Sequence, residues 1–140
     1  RPYFVYAGRI SDDRGIYECL EALRTLEDDA DLVCAGRIGH VSNDEFRSLL
    51  DGAQSGTRFQ YLGLLPYEDM PPLLSGAQAG LLCFQATPNN VLGTPNKLFE
   101  YMSAGIPVIA SDFPFVRQVV SEADCGLLVQ PDDVEQIALA

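Results

Sequence analysis

Positive charge is what this chain has least of. Nine lysines and arginines stand against twenty aspartates and glutamates, for a net charge of −11, and Lys97 is the only lysine. That balance excludes blanket attraction to nucleic acid or to an anionic membrane surface. His40 is the only histidine, and Cys19, Cys34, Cys83 and Cys125 lie far apart. No pair of them has metal-ligand spacing, so no metal site is expected. Cys34 and Cys83 fall inside apolar runs, and the four thiols read as reduced and mostly buried, which suits a cytosolic setting. No apolar run reaches the roughly 18–20 residues of a membrane span, and no signal peptide is read. A G-x-G-x-x-G fingerprint is also missing, which disfavours a classical NAD site. So are internal repeats and low-complexity segments.

What is present is the pattern of one globular domain. The chain has 140 residues, 47% of them hydrophobic and 21% charged, enough to bury roughly two-thirds of the unfolded surface. Apolar strand candidates recur at residues 3–7, 31–35, 58–62, 79–84, 107–110 and 126–129. Helical periodicity lies between them. Ile16, Cys19, Leu20, Leu23 and Leu26 form one stripe, Phe46, Leu49 and Leu50 a second, and Val116, Val119 and Val120 a third. The Pro71-Pro72 pair must open a helix, because interior proline breaks one. Alternating strands and helices predict an α/β fold, an open, doubly wound parallel sheet with ligands at the carboxyl ends of its strands. The chain opens on a strand and closes at 137–140 on what reads as a helix cut short, so an excised piece of a longer protein is expected.

The most informative stretch is 94–111. Thr94 and Pro95 read as the N-cap and first residue of a helix that stops at Gly105, with a strand following Pro107. Lys97 then sits in the first turn, where a cation opposes the helix dipole. An anion at that terminus would offset the cost, and phosphate is the usual candidate. Glu100 lies on the side of Asn96. The plainer alternative is that Lys97 and Glu100, three apart, form a surface ion pair worth a few tenths of a kcal/mol.

The other strand exits add to this edge. The first strand leads into Gly8-Arg9-Ile10-Ser11-Asp12-Asp13-Arg14-Gly15. Gly8 permits close backbone approach, and arginine binds phosphate bidentately. Alternatively Arg9 and Arg14 pair only with Asp12 and Asp13. The second exit is Gly36-Arg37-Ile38-Gly39-His40, where His40 reads as a surface residue rather than a base. The third is Gly63-Leu64-Leu65-Pro66-Tyr67. The fourth is a long polar loop over 85–93, suited to sugar or phosphate contacts or simply a connection. Together three basic residues and two helix N-termini converge into a pocket for an anionic nucleotide.

Gly8-Arg9-Ile10 with Asp13-Arg14-Gly15, then Tyr61-Leu62-Gly63, then the block from Asn96 through Leu98-Phe99-Glu100-Tyr101-Met102 to Ser111 resemble the C-terminal domain of family-four glycosyltransferases. The resemblance covers essentially the whole chain, and the 96–111 block is its most specific part. It implies a Rossmann-like half of a two-domain GT-B architecture, with residues 1–140 as the domain that binds the nucleotide-diphosphate-sugar donor. It implies retaining glycosyl transfer to a glycan or lipid-linked acceptor, without an obligatory metal or other cofactor. An N-terminal acceptor-binding domain is then missing here. The location is expected to be cytoplasmic, or peripheral at the membrane through that missing domain. Alone, the piece is expected to bind nucleotide weakly and catalyse nothing.

The resemblance also implies roles. Arg9 and Arg14 would hold the diphosphate, and Glu100 the ribose hydroxyls. Backbone at Gly36, Arg37 and Ile38 and at Leu62, Gly63 and Leu65 would frame the base. Backbone at Leu92, Gly93 and Thr94 would face phosphate and sugar. Arg14 stands where the family usually has lysine, which changes the contact but keeps the charge. The family commonly has two glutamates in this region. Glu100 matches the second and Leu92 replaces the first, leaving Asn90 or Lys97 to take over part of that role. Rival readings are a nucleotide-sugar epimerase of the same architecture and a non-catalytic nucleotide-binding module. A phosphoacceptor domain needs an aspartate ending strand three and a lysine after strand five. Tyr61-Leu62-Gly63 and Ser111 stand there instead.

Overall fold

Strands that are apolar without alternation must lie between two layers of helices. A computed structural model of the chain shows that arrangement and describes residues 2–26, 30–50, 58–93, 96–130, 133 and 137. Six strands, β1 (Tyr3–Ala7), β2 (Asp31–Ala35), β3 (Phe59–Tyr61), β4 (Gly80–Leu82), β5 (Val108–Ser111) and β6 (Gly126–Val129), form one sheet in the order β3-β2-β1-β4-β5-β6. Every pairing is parallel. All residues of β2, β4 and β5 are buried.

The helices are α1 (Ile16–Arg24), α2 (Asp44–Leu50), α3 (Met70–Ser75), α4 (Pro88–Leu92), α5 (Asn96–Ser103) and α6 (Pro114–Ala123), with 3₁₀ turns at Asp12–Arg14 and Tyr67–Asp69. The chain steps from β1 through β2 to β3, then returns to β4 and steps the other way. Right-handed crossovers therefore put α1 and α2 on one face and α3, α5 and α6 on the other. The direction reverses between β1 and β4, which is where a doubly wound sheet opens its crevice.

Three expectations shift. The loop expected over 85–93 contains α4. Thr87 caps it by accepting a hydrogen bond from Asn90 N at 3.2 Å, and Pro88 supplies a preset φ in its first turn. The fourth strand, expected over 79–84, pairs only over Gly80–Leu82. Beyond it Cys83 Sγ donates to Ile109 O and Ser111 Oγ donates to Phe84 O at 2.6 Å, so side chains continue what the ladder leaves off. The fifth strand runs one residue later than expected, to Ser111. The Pro71-Pro72 pair does lie in the first turn of α3. Thr94 and Pro95, expected to open α5, lie outside the described residues, as does most of the helix expected at 137–140.

Candidate functional site

At the carboxyl edge of β1, β2 and β3 the exits are joined backbone to backbone. Gly8 N donates to Ala35 O at 2.9 Å, Gly36 N to Gly63 O at 2.9 Å, and Ile10 N to Arg37 O at 2.8 Å. This close approach requires glycine. Gly8 and Gly36 have φ of 148° and 146°, and a Cβ on Gly36 would stand 1.8 Å from Gly8 O.

Above this floor lies a cleft of about 670 Å³. It brings together Gly8, Arg9, Gly36, Arg37, Ile38, Leu65 and Lys97 of the sequence-predicted set. Ala35, Gly39, Leu64, Tyr67 and Met70 complete the wall. Among the described residues three cations line it and no carboxylate does, in a chain with twenty acidic residues. Arg9 lies across the backbone of Gly39, where a Cβ would come 2.6 Å from its Nε. The Lys97 stem lies over Gly8, its Cε 3.1 Å from where a Cβ would be. Tyr6 supports the turn from below, its hydroxyl donating to Arg9 O at 2.7 Å. Burial raises the Tyr6 phenol well above its ordinary range, so it stays a donor.

The remaining predicted residues stand around this cleft rather than in it. Glu100 accepts from Lys97 Nζ at 2.7 Å and lines an adjoining groove between α3 and α5, which Lys97 also borders. Arg14 is half-buried, its guanidinium 4.6 Å from the centre of the Phe84 ring and its Nε 3.8 Å from Asp13 Oδ1. Asp13 is partly desolvated, which alone would raise its pKa. Hydrogen bonds from Ser11 and Asn90 and the charge of Arg14 outweigh that and hold the carboxyl below its usual range. Asn90 is buried, and its Nδ2 donates to Asp13 O, Asp13 Oδ2 and Gln85 O, so its amide ties α4 to the β1 exit. Gly63 contributes its carbonyl to the floor, and Leu62 N donates to Cys34 O. Leu92 is 81% exposed on α4, next to Gly93. Thr94 lies outside the described residues. His40 is exposed in the β2 exit.

Sequence reasoning missed Tyr67 and Met70. Tyr67 stood in the third exit loop, but an exposed aromatic in a loop carries no periodic signal. Met70 belongs to the start of α3, which reaches the cleft only because β3 returns to β4.

The family model described as "Glycosyl transferases group 1" matches residues 1–140. The chain is 28% identical to the O-antigen chain mannosyltransferase B of Escherichia coli, a match that covers 97% of this chain and 35% of that protein. It thus spans about a third of the length of that relative. Among solved structures, sucrose-phosphate synthase from Thermosynechococcus elongatus aligns with a TM-score of 0.77 at 24% identity, over 99% of this chain and 35% of that one. Anabaena HepE in complex with UDP aligns with a TM-score of 0.77 at 17% identity, over 98% of this chain and 37% of the other. At these identities the structural matches speak to fold alone.

Proposed function

Because the chain belongs to the glycosyl transferases of group 1, we propose that it is the donor-binding part of a GT-B glycosyltransferase and holds a nucleotide-diphosphate sugar. The observation that carries this reading is the cleft lined by Arg9, Arg37 and Lys97, with Glu100 pairing to Lys97 at its border. Cations gathered on one edge of an acidic protein suit a diphosphate.

The chemistry follows from the charge. As the glycosidic bond to phosphate breaks, negative charge grows on the departing diphosphate. Arg9 and Lys97, positioned before the reaction, stabilise that charge without reorganisation. Transfer is proposed to proceed with retention and without an obligatory metal. Leu64, Leu65 and Tyr67 offer an apolar wall for the base. The similarity to an O-antigen chain mannosyltransferase supports a glycan acceptor of the surface-polysaccharide kind, met on the cytoplasmic side and held by a further domain of the whole protein. The UDP complex of HepE makes UDP the first nucleotide to try.

The test is a thermal-shift series on the full-length protein with UDP, GDP and ADP and their monophosphates. A diphosphate at about 100 times its dissociation constant adds about 2.7 kcal/mol. It should raise the melting temperature well beyond its own monophosphate at equal concentration. Equal shifts for the two would remove the diphosphate from the reading.

A further inference from the structure

The ladder between β1 and β4 stops one step early. Val5 N donates to Ala79 O at 3.1 Å, with Val5 paired to Gly80. The next bond of a parallel ladder would run from Ala7 N to Leu81 O. The hydroxyl of Tyr101 stands there instead. It accepts from Ala7 N at 3.2 Å and donates to Leu81 O at 3.2 Å. The phenol is wholly buried on α5, and its ring covers Gly80 so closely that a Cβ there would lie 2.4 Å from it. Burial raises its pKa well above the ordinary phenol range, so it remains protonated and can make both bonds at once.

This insertion lies at the point where the winding of the sheet reverses, directly below the nucleotide cleft. Lys97 is one turn earlier on the same face of α5, and its stem lies over Gly8. Two side chains of one helix therefore touch the last residue of β1 and the first residue of its exit.

We propose that Tyr101 is a positioning residue. Its hydroxyl is a spacer of fixed length that keeps the carboxyl end of β1 off β4. It thereby sets the distance between the Gly8 turn and the first turn of α5, between which the phosphates of the donor lie. The proposal rests on the nucleotide reading above.

The test compares Tyr101→Phe with Tyr3→Phe in the full-length protein. Tyr3 also donates to a backbone carbonyl, Leu73 O at 2.6 Å, but from the opposite end of β1. Tyr101→Phe keeps the ring over Gly80 but removes the oxygen that spaces the strands, so Ala7 N–H and Leu81 O lose their shared partner and the carboxyl end of β1 is no longer held at its distance from β4. Hydrogen–deuterium exchange in the peptide that spans Ala7 should become faster. Affinity for whichever of UDP, GDP and ADP the wild type binds best should fall about five- to tenfold, the effect of one well-placed hydrogen bond. Tyr3→Phe, which removes a hydroxyl-to-carbonyl bond of the same kind, should leave that affinity within about twofold, inside the scatter of neutral substitutions. Unchanged affinity in Tyr101→Phe, or an equal loss in both variants, overturns the proposal. A wild type that binds none of the three nucleotides overturns the nucleotide reading and the affinity claim with it. Exchange at Ala7 then still judges the spacer: faster in Tyr101→Phe upholds it, and unchanged overturns it.

Discussion

The two halves of the sheet differ in what chiefly joins their carboxyl-end exits, although the Tyr61 hydroxyl also donates to Gly36 O in the first half and Asp112 N to Val129 O in the second. In the β1-β2-β3 half, backbone amides reach the neighbouring exit directly, through Gly8 to Ala35 and Gly36 to Gly63. In the β4-β5 half, side chains do the same work, with Tyr101 on Leu81, Ser111 on Phe84 and Cys83 on Ile109. A backbone-closed edge leaves no room for a Cβ where the chains touch most closely, at Gly36. A side-chain-closed edge accepts ordinary backbone angles but depends on single polar atoms. The cleft lies over the first kind of edge, where a phosphate can approach the main chain, and the second kind braces it from the side.

The largest effect should come from breaking the backbone edge. Gly36→Ala combines a φ of 146° with a Cβ 1.8 Å from Gly8 O. Strain and overlap each cost about 1–3 kcal/mol, so a loss of about 3–5 kcal/mol is expected from the urea unfolding midpoint. Gly63→Ala sharpens the point, since it belongs to the same row but has open space around it and a φ of 77°. It should cost only the left-handed penalty, about 1–2 kcal/mol. Equal losses at the two positions would mean that contact between the exits contributes nothing.

The side-chain edge should break more gently. Ser111 is buried, and its hydroxyl donates to Phe84 O at 2.6 Å. Ser111→Ala leaves that carbonyl without this donor, for a loss of about 1–2 kcal/mol within the range for an unsatisfied buried group. Nucleotide affinity should hold, because Ser111 does not line the cleft. A loss as large as that of Gly36→Ala would erase the distinction between the two halves.

The same contrast explains what could be read from one dimension. β1, β2 and β6 match their expected bounds because each is a mostly apolar run ended by Gly8, Gly36 or a polar residue; burial on both faces imposes that pattern on β2, while β6 keeps it although Leu127 is exposed. The glycine exits were legible for a related reason: only glycine serves where chains touch. α4 was not legible, being short and polar, although its Thr87-Pro88 start repeats the cap signal of Thr94-Pro95. Asn90 reads along the chain as a polar loop residue open to ligand, and three acceptors turn it inward instead. Tyr101 reads along the chain only as one residue of the 96–111 block. Its hydroxyl matters because of two strands distant in sequence, and no periodicity within α5 reports on them.

The smallest effect on stability belongs to the residue the resemblance singles out most strongly. Glu100 and Lys97 pair at 2.7 Å across one turn of α5, with side chains 47% and 29% exposed. Such a pair is worth about 0.2–0.5 kcal/mol, so Glu100→Gln should barely move the unfolding midpoint. Its effect on binding separates two roles. If the carboxylate also accepts from the ribose hydroxyls, a ribonucleoside diphosphate loses a charge-assisted hydrogen bond worth about 1.5–3 kcal/mol. The 2′-deoxy analogue loses less, because one donor is already gone. Calorimetry of both nucleotides on wild type and Glu100→Gln should therefore show a ribose-specific loss above about 1 kcal/mol, near the lower edge of that range. An identical loss for the two sugars has a different cause. Without its partner the Lys97 ammonium is free to shift over Gly8, and that changes the phosphate end of the site alike for both. That outcome would assign Glu100 to the placement of Lys97 and take it off the ribose.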